Sequence, residues 1–167
     1  MRGGNIWFSP IPVAAVACVV LVVLVALAMI DSPRGRTCVR WLLVLCVGGI
    51  LVVTMLRATA GTGVTNLYPG RTIGEQLTGD HALGLFNVLG NIAMFVPLGW
   101  LVALVAPRRR LVGAAVVGVG LSATIEIVQL FVGRIADIDD VLLNGTGAVL
   151  GAGVALIIRE ARARVLA

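Results

Sequence analysis

Five blocks of apolar residues, parted by short polar stretches, organise this chain. They run roughly over Ile11–Ile30, Val39–Leu56, Leu83–Ala106, Leu111–Val132 and Val141–Ile158. Each comes close to the ~20 helical residues that cross the hydrocarbon of a bilayer. A backbone in that solvent has to satisfy its own N–H and C=O groups, so each block is expected to be a helix. The pattern predicts an all-α, polytopic transmembrane bundle of about five spans, forming a single membrane domain over residues 1–167. The longest connection, Arg57 to Ala82, is rich in Gly and Thr. It is expected to be a partly ordered loop with one short helix at the membrane interface.

Composition agrees with the pattern. The 167 residues are 59% hydrophobic and 13% charged, and the mean hydropathy is +1.06, which leaves too little polar surface for a soluble domain. All 13 basic residues are arginines, and the pI near 10.5 would fit a nucleic-acid binder. Their placement excludes that class. Arg34, Arg36 and Arg40 separate the first two spans, Arg108, Arg109 and Arg110 separate the third and fourth, and Arg159, Arg162 and Arg164 follow the fifth. The alternate segments hold only Arg2, Arg57, Arg71 and Arg134. By the positive-inside rule this alternation predicts an external N-terminus and a cytoplasmic C-terminus.

The first block also has a signal-like Ala26-Leu27-Ala28. Its length and the arginines that follow favour a retained span over a cleaved leader. Cys18, Cys38 and Cys46 have no metal-ligand or disulfide spacing and are expected to pack as small apolar residues. Gly147 and Gly151 form a GxxxG pair, and Gly113, Gly118 and Gly120 thin one side of the fourth span. Both groups are expected to let helix backbones approach closely. Pro97 should kink the third span and leave the carbonyl of Ala93 without a helical donor.

The polar residues inside the apolar blocks are the candidates for function, because an ionisable group at membrane depth costs several kcal/mol unless paired or wetted. Asn87 and Asn91 share a face of the third span, as do Ser122, Glu126 and Gln129 in the fourth. Glu126 lies about six residues, or roughly 9 Å, from the end of its span. Arg134, Asp137, Asp139 and Asp140 make up the following turn, and Asn144 opens the fifth span. With the predicted sidedness, three spans bring amides, carboxylates and a guanidinium to the outer leaflet.

Each of these residues also has a structural reading. The two asparagines serve as interhelical hydrogen-bond glue, Asp139 or Asp140 as an N-cap, Gln129 as a wetted helix end, and Glu126 and Arg134 as an ion pair. His81 reads as a solvated loop residue. The functional reading makes Glu126 and Asp140 acid–base partners. Arg134 then orients an anion, and Asn87, Asn91, Ser122, Gln129, Asp137, Asp139 and Asn144 bind the ligand. The carboxylates match no metal-loop spacing, so no metal is assigned, and the sequence names no cofactor.

At these residues the chain resembles the VanZ-like family of bacterial membrane proteins. Asn66-Leu67-Tyr68-Pro69-Gly70-Arg71-Thr72-Ile73 resembles the family's N-L-x-P-F-basic-T-I segment. Asn87-Val88-Leu89-Gly90-Asn91 with Phe95-Val96-Pro97-Leu98-Gly99 resembles its N-x-x-G-N-x-x-x-F-x-P-L-G span. Ser122, Glu126 and Gln129 match an S-x-x-x-E-x-x-Q helix. Arg134, Asp137, Asp139, Asp140, Asn144 and Gly147 match the closing motif. The motifs keep their order within a region taken as 66–153. Gly70 stands where the family usually has Phe.

The family's founding member is associated with low-level resistance to teicoplanin. The resemblance therefore implies a multi-pass protein of the bacterial cell membrane that binds or modifies an amphipathic envelope ligand, such as a lipid-linked precursor or a lipoglycopeptide. The alternatives are a transporter or flippase, for which polar groups in the inner half of the membrane are scarce, and a structural subunit of a membrane-protein complex.

Overall fold

The computed structural model describes residues 35–56, 65–79, 81–106 and 109–165. The predicted first span, Ile11–Ile30, lies outside the described residues. The other four appear as helices long and apolar enough to cross a membrane. In chain order the elements are α1 (Gly35–Leu56), β1 (Thr65–Asn66), α2 (Arg71–Thr78), α3 (His81–Val105), α4 (Arg110–Phe131), β2 (Ala136–Asp137) and α5 (Ile138–Val165). The short helix expected in the long connection is α2. His81, expected in the loop, is instead the first residue of α3, because His81-Ala82 extends the helical run without a breaker.

Helix α5 begins earlier than its apolar block. Its first turn carries Asp139 and Asp140 and its last turn Arg162 and Arg164, so its side-chain charges oppose the helix dipole at both ends. The cap was expected at Asp139 or Asp140, and the structure corrects this. The Asp137 carboxylate takes the role, its Oδ1 accepting the N–H of Asp139 at 2.9 Å. Two residues is the usual reach of an aspartate cap, and that leaves the next two carboxylates available to other partners.

Helix α3 is the hub. Phe95, Leu98, Trp100, Leu101, Val102 and Ala103 are buried along it. Around them pack Ala114 and Ile125 of α4, Ala148, Ala152 and Ala155 of α5, and Val39 and Ile50 of α1. The α3–α5 seam is the tightest, and small residues set it. A Cβ on Gly147 would run into the carbonyl of Ile92, and one on Gly151 into that of Val96. From the other side, a Cβ on Gly99 would meet the carbonyl of Ala148. The GxxxG pair is thus a backbone-contact surface, as lipid-embedded helices require. On α4 only Gly118 makes such an approach, against Ala148; Gly113 is in ordinary contact and Gly120 faces open space.

Large apolar side chains cover the outside, among them Trp41, Leu45, Val116, Ile127, Phe131 and Ile157. Short turns make α3–α4 and α4–α5 antiparallel. Arg134, in the α4–α5 turn, donates from Nη1 to the carbonyl of Thr54 at 3.1 Å, which brings the end of α1 to the same place. One end of the bundle therefore collects Arg36, Arg40, Arg109, Arg110, Arg159, Arg162 and Arg164. The opposite end collects α2, the two short strands and the carboxylates.

Candidate functional site

The carboxylate end is built in two tiers. The outer tier is a strap, residues 65–79, tied across the start of α5. Its β1 pairs in parallel with β2, Thr65 opposite Ala136 and Asn66 opposite Asp137. Asn66 Oδ1 accepts the N–H of Tyr68 at 3.2 Å, which turns the chain. Asn66 Nδ2 donates to Asp137 Oδ1 at 3.0 Å and to Thr72 Oγ1 at 2.9 Å. Thr72 in turn donates to Asp137 Oδ2 at 2.5 Å.

The fully buried Asp139 holds the strap at a second point. Its Oδ1 accepts the N–H of Gly70 at 2.6 Å and its Oδ2 that of Ile73 at 3.1 Å. These donors are the unpaired N–H groups at the start of α2, so Asp139 caps that helix from across the fold. Gly70 is the N-cap residue, in the left-handed region at φ 83°. A side chain there would be strained, which fits glycine at the position where Phe was the expected residue.

The inner tier lies beneath, among α3, α4 and α5. Glu126 is buried, and its Oε2 accepts the N–H of Asp137 at 2.7 Å, closing the α4–α5 turn. Asn91 Nδ2 donates to Asp140 Oδ1 at 2.6 Å, which joins α3 to α5. One turn deeper, Asn144 Nδ2 donates to the buried Ser122 Oγ at 2.8 Å, which joins α5 to α4. Asn144 Oδ1 is buried with no partner. Gln129 is buried in the last turn of α4, and its carbonyl accepts the N–H of Arg134 at 2.9 Å.

Nine of the ten candidate residues therefore meet at this end. Asn87 does not join them. It is exposed on the outer side of α3 and makes no hydrogen bond to the cluster, although it lies four residues from Asn91. Nor do Glu126 and Arg134 form an ion pair among the described residues, since the carboxylate closes a turn and the guanidinium reaches the Thr54 carbonyl. The same geometry separates the carboxylates by task. Asp137 and Asp139 have both oxygens engaged in holding the strap. Among the described residues, Glu126 and Asp140 each have one oxygen engaged and one available.

Asn66, Thr72 and the N–H groups of Gly70 and Ile73 were absent from the candidate set. The signal for them was the N-L-Y-P-G-R-T-I segment itself, an Asx-turn residue followed by a helix start that lacks a cap of its own. No three His, Cys, Asp or Glu side chains among the described residues group closely enough to hold a metal ion. Two shallow cavities of about 380 Å³ lie at the arginine end. One is lined by Arg109, Arg110, Leu111, Val112 and Leu156, the other by Ile157, Glu160, Ala161 and Arg164, so neither touches the candidate residues at the opposite end.

Neither the curated proteins nor the solved structures include a significant match to this chain. Comparison with protein families does give one: the model described as VanZ/LLP1 matches residues 13–159. With that match covering most of its length and four long apolar helices in its fold, the chain belongs to the VanZ/LLP1 family of membrane proteins.

Proposed function

We propose that the carboxylate end faces the exterior of the bacterial cytoplasmic membrane and binds the headgroup of an amphipathic envelope ligand, such as a lipid-linked precursor or a lipoglycopeptide. In this reading the apolar flanks of α3, α4 and α5 hold the acyl portion. The observation that carries it is the pair Glu126 and Asp140. Two carboxylates from facing helices, each with an oxygen left over after the fold's own hydrogen bonds are made, are costly to keep unless something uses them. The arginines at the other end support the sidedness. A contribution to glycopeptide resistance follows if the ligand is the drug or the precursor it targets.

The same two carboxylates serve a modifying variant, with Glu126 and Asp140 exchanging a proton with the bound headgroup. Transport is the weaker reading. Toward the arginine end, α3–α5 are packed with Leu101, Val102, Ala103, Ala114, Ala152 and Ala155, which offer no polar path among the described residues.

The experiment is mass spectrometry of what copurifies with the full chain in native lipid, for the wild type and for Glu126→Gln. Binding predicts an amphiphile that the wild type retains and the variant loses at equal protein yield. An identical lipid profile in both, with the resistance phenotype also unchanged, would end the proposal. If the variant keeps the ligand but loses the resistance phenotype, the modifying variant is favoured over simple recognition.

A further inference from the structure

The inner tier is short of hydrogen-bond donors. Glu126 Oε1 and Asp140 Oδ2 have no donor among the described residues, and they are not among the atoms sealed from solvent. Asn144 Oδ1 is sealed and unpartnered in a side chain only 4% exposed. It sits one turn below Asp140 on the same face of α5, as Ser122 sits one turn below Glu126 on α4. The bond from Asn144 Nδ2 to Ser122 Oγ ties these two pairs of residues across the α4–α5 seam.

Charge points the same way. Among the described residues, and apart from the Arg71–Glu75 pair on the strap, four carboxylates, from Glu126, Asp137, Asp139 and Asp140, share this end with one guanidinium, that of Arg134, which is turned to the Thr54 carbonyl. Arg71 on the strap is paired with Glu75 at 3.0 Å and adds no net charge. Asp137 and Asp139 have both oxygens taken by donors of the strap and of the helix starts, whereas Glu126 and Asp140 each receive one, the Asp137 N–H and the Asn91 amide. A phosphate or carboxylate would bring more negative charge and more acceptors to a place that lacks donors. The match is a group with positive charge and several N–H bonds.

We infer that the headgroup taken by this end is a primary ammonium, its N–H donors serving Glu126, Asp140 and Asn144. An ammonium carries three donors and no acceptor, which answers both deficits at once. The inference rests on the proposed headgroup site and narrows its ligand class. Ammonium groups of this kind occur on aminoalcohol lipids and on the free amines of peptides or amino sugars attached to lipid carriers.

The test is native mass spectrometry of the full chain in bilayer discs containing equal amounts of phosphatidylethanolamine, phosphatidylcholine and phosphatidylglycerol. The first two share phosphate and cationic nitrogen, but only the first has N–H donors. The third has hydroxyls and no ammonium. The inference predicts that ethanolamine lipid is retained over choline lipid by about tenfold or more, the effect of one charge-assisted hydrogen bond. The preference should vanish in the Glu126→Gln/Asp140→Asn double variant, with thermal unfolding showing that the variant is folded.

A soluble arm separates the sources. Displacement of the retained ethanolamine lipid by a lysine-ended peptide, but not by its trimethylated form, indicates a free amine; resistance to both indicates the lipid. Either outcome supports the ammonium. Equal retention of choline lipid, or preference for phosphatidylglycerol, overturns it. If that retention still depends on Glu126, the headgroup site survives and only its ligand class was misread.

Discussion

Asp139→Asn isolates the device that ties the strap to the bundle. The wild-type carboxylate receives two backbone N–H groups from the start of α2, at 2.6 and 3.1 Å. Asparagine keeps one acceptor and turns an NH₂ toward the other donor. Hydrogen bonds to a charged group contribute about 1.5–3 kcal/mol each. Losing the charge weakens one bond and replaces the other with a donor–donor contact. Gly70 is exposed, so water compensates part of that loss.

The net effect is about 2–4 kcal/mol on strap closure, or roughly a 30- to 900-fold rise in the open population. Hydrogen exchange with mass-spectrometric readout, on protein in bilayer discs, resolves this by segment. Peptides covering α2 should exchange faster by that factor, while peptides from the α3 core around Phe95 and Leu101 keep wild-type rates. Unchanged exchange in α2 would refute the latch. A uniform increase across all helices would mean that Asp139 holds the bundle rather than the strap.

Other substitutions probe the remaining contacts. Gly151→Val drives a side chain into the Val96 carbonyl, so the α3–α5 seam should lose about 3 kcal/mol or more, read as a fall in thermal unfolding temperature. The same change at Gly120, which faces open space, should leave that temperature nearly unaltered. Ser122→Ala removes the acceptor of the Asn144 amide in a fully buried place and should cost about 1–2 kcal/mol in chemical denaturation. Asn91→Ala breaks the 2.6 Å bond to Asp140 and should cost about 1.5–3 kcal/mol, whereas Asn87→Ala should stay within about 0.5 kcal/mol. Equal effects at the two asparagines would contradict their different surroundings.

Much of this architecture was legible in the residues. Apolar block length located α1, α3, α4 and α5, because lipid leaves a polar backbone few alternatives to helix. The spacing of Ser122, Glu126 and Gln129 put them on one inward face of α4, and the GxxxG pair marked the seam with α3. Sequence reasoning failed where partners are set by tertiary contact. Asn87 and Asn91 share a helical face, yet that face spans the margin of the α3–α5 contact, so one faces Asp140 and the other lies outside it. Asp139 looked like a cap for its own helix and serves as one for α2, which lies sixty-odd residues earlier in the chain. Arg134 was expected to face an acid or a ligand anion and meets a main-chain carbonyl instead. No periodicity encodes such pairings.

An external headgroup site requires that Glu126 and Asp140 open to the outer side of the membrane. Single cysteines placed at Thr78 on the strap and at Arg109 at the opposite end, with the native cysteines replaced, report it directly. In intact cells a membrane-impermeant maleimide should label Thr78→Cys, and should label Arg109→Cys only after permeabilisation. The reverse pattern would turn the carboxylate end toward the cytoplasm and remove the basis for an external headgroup site.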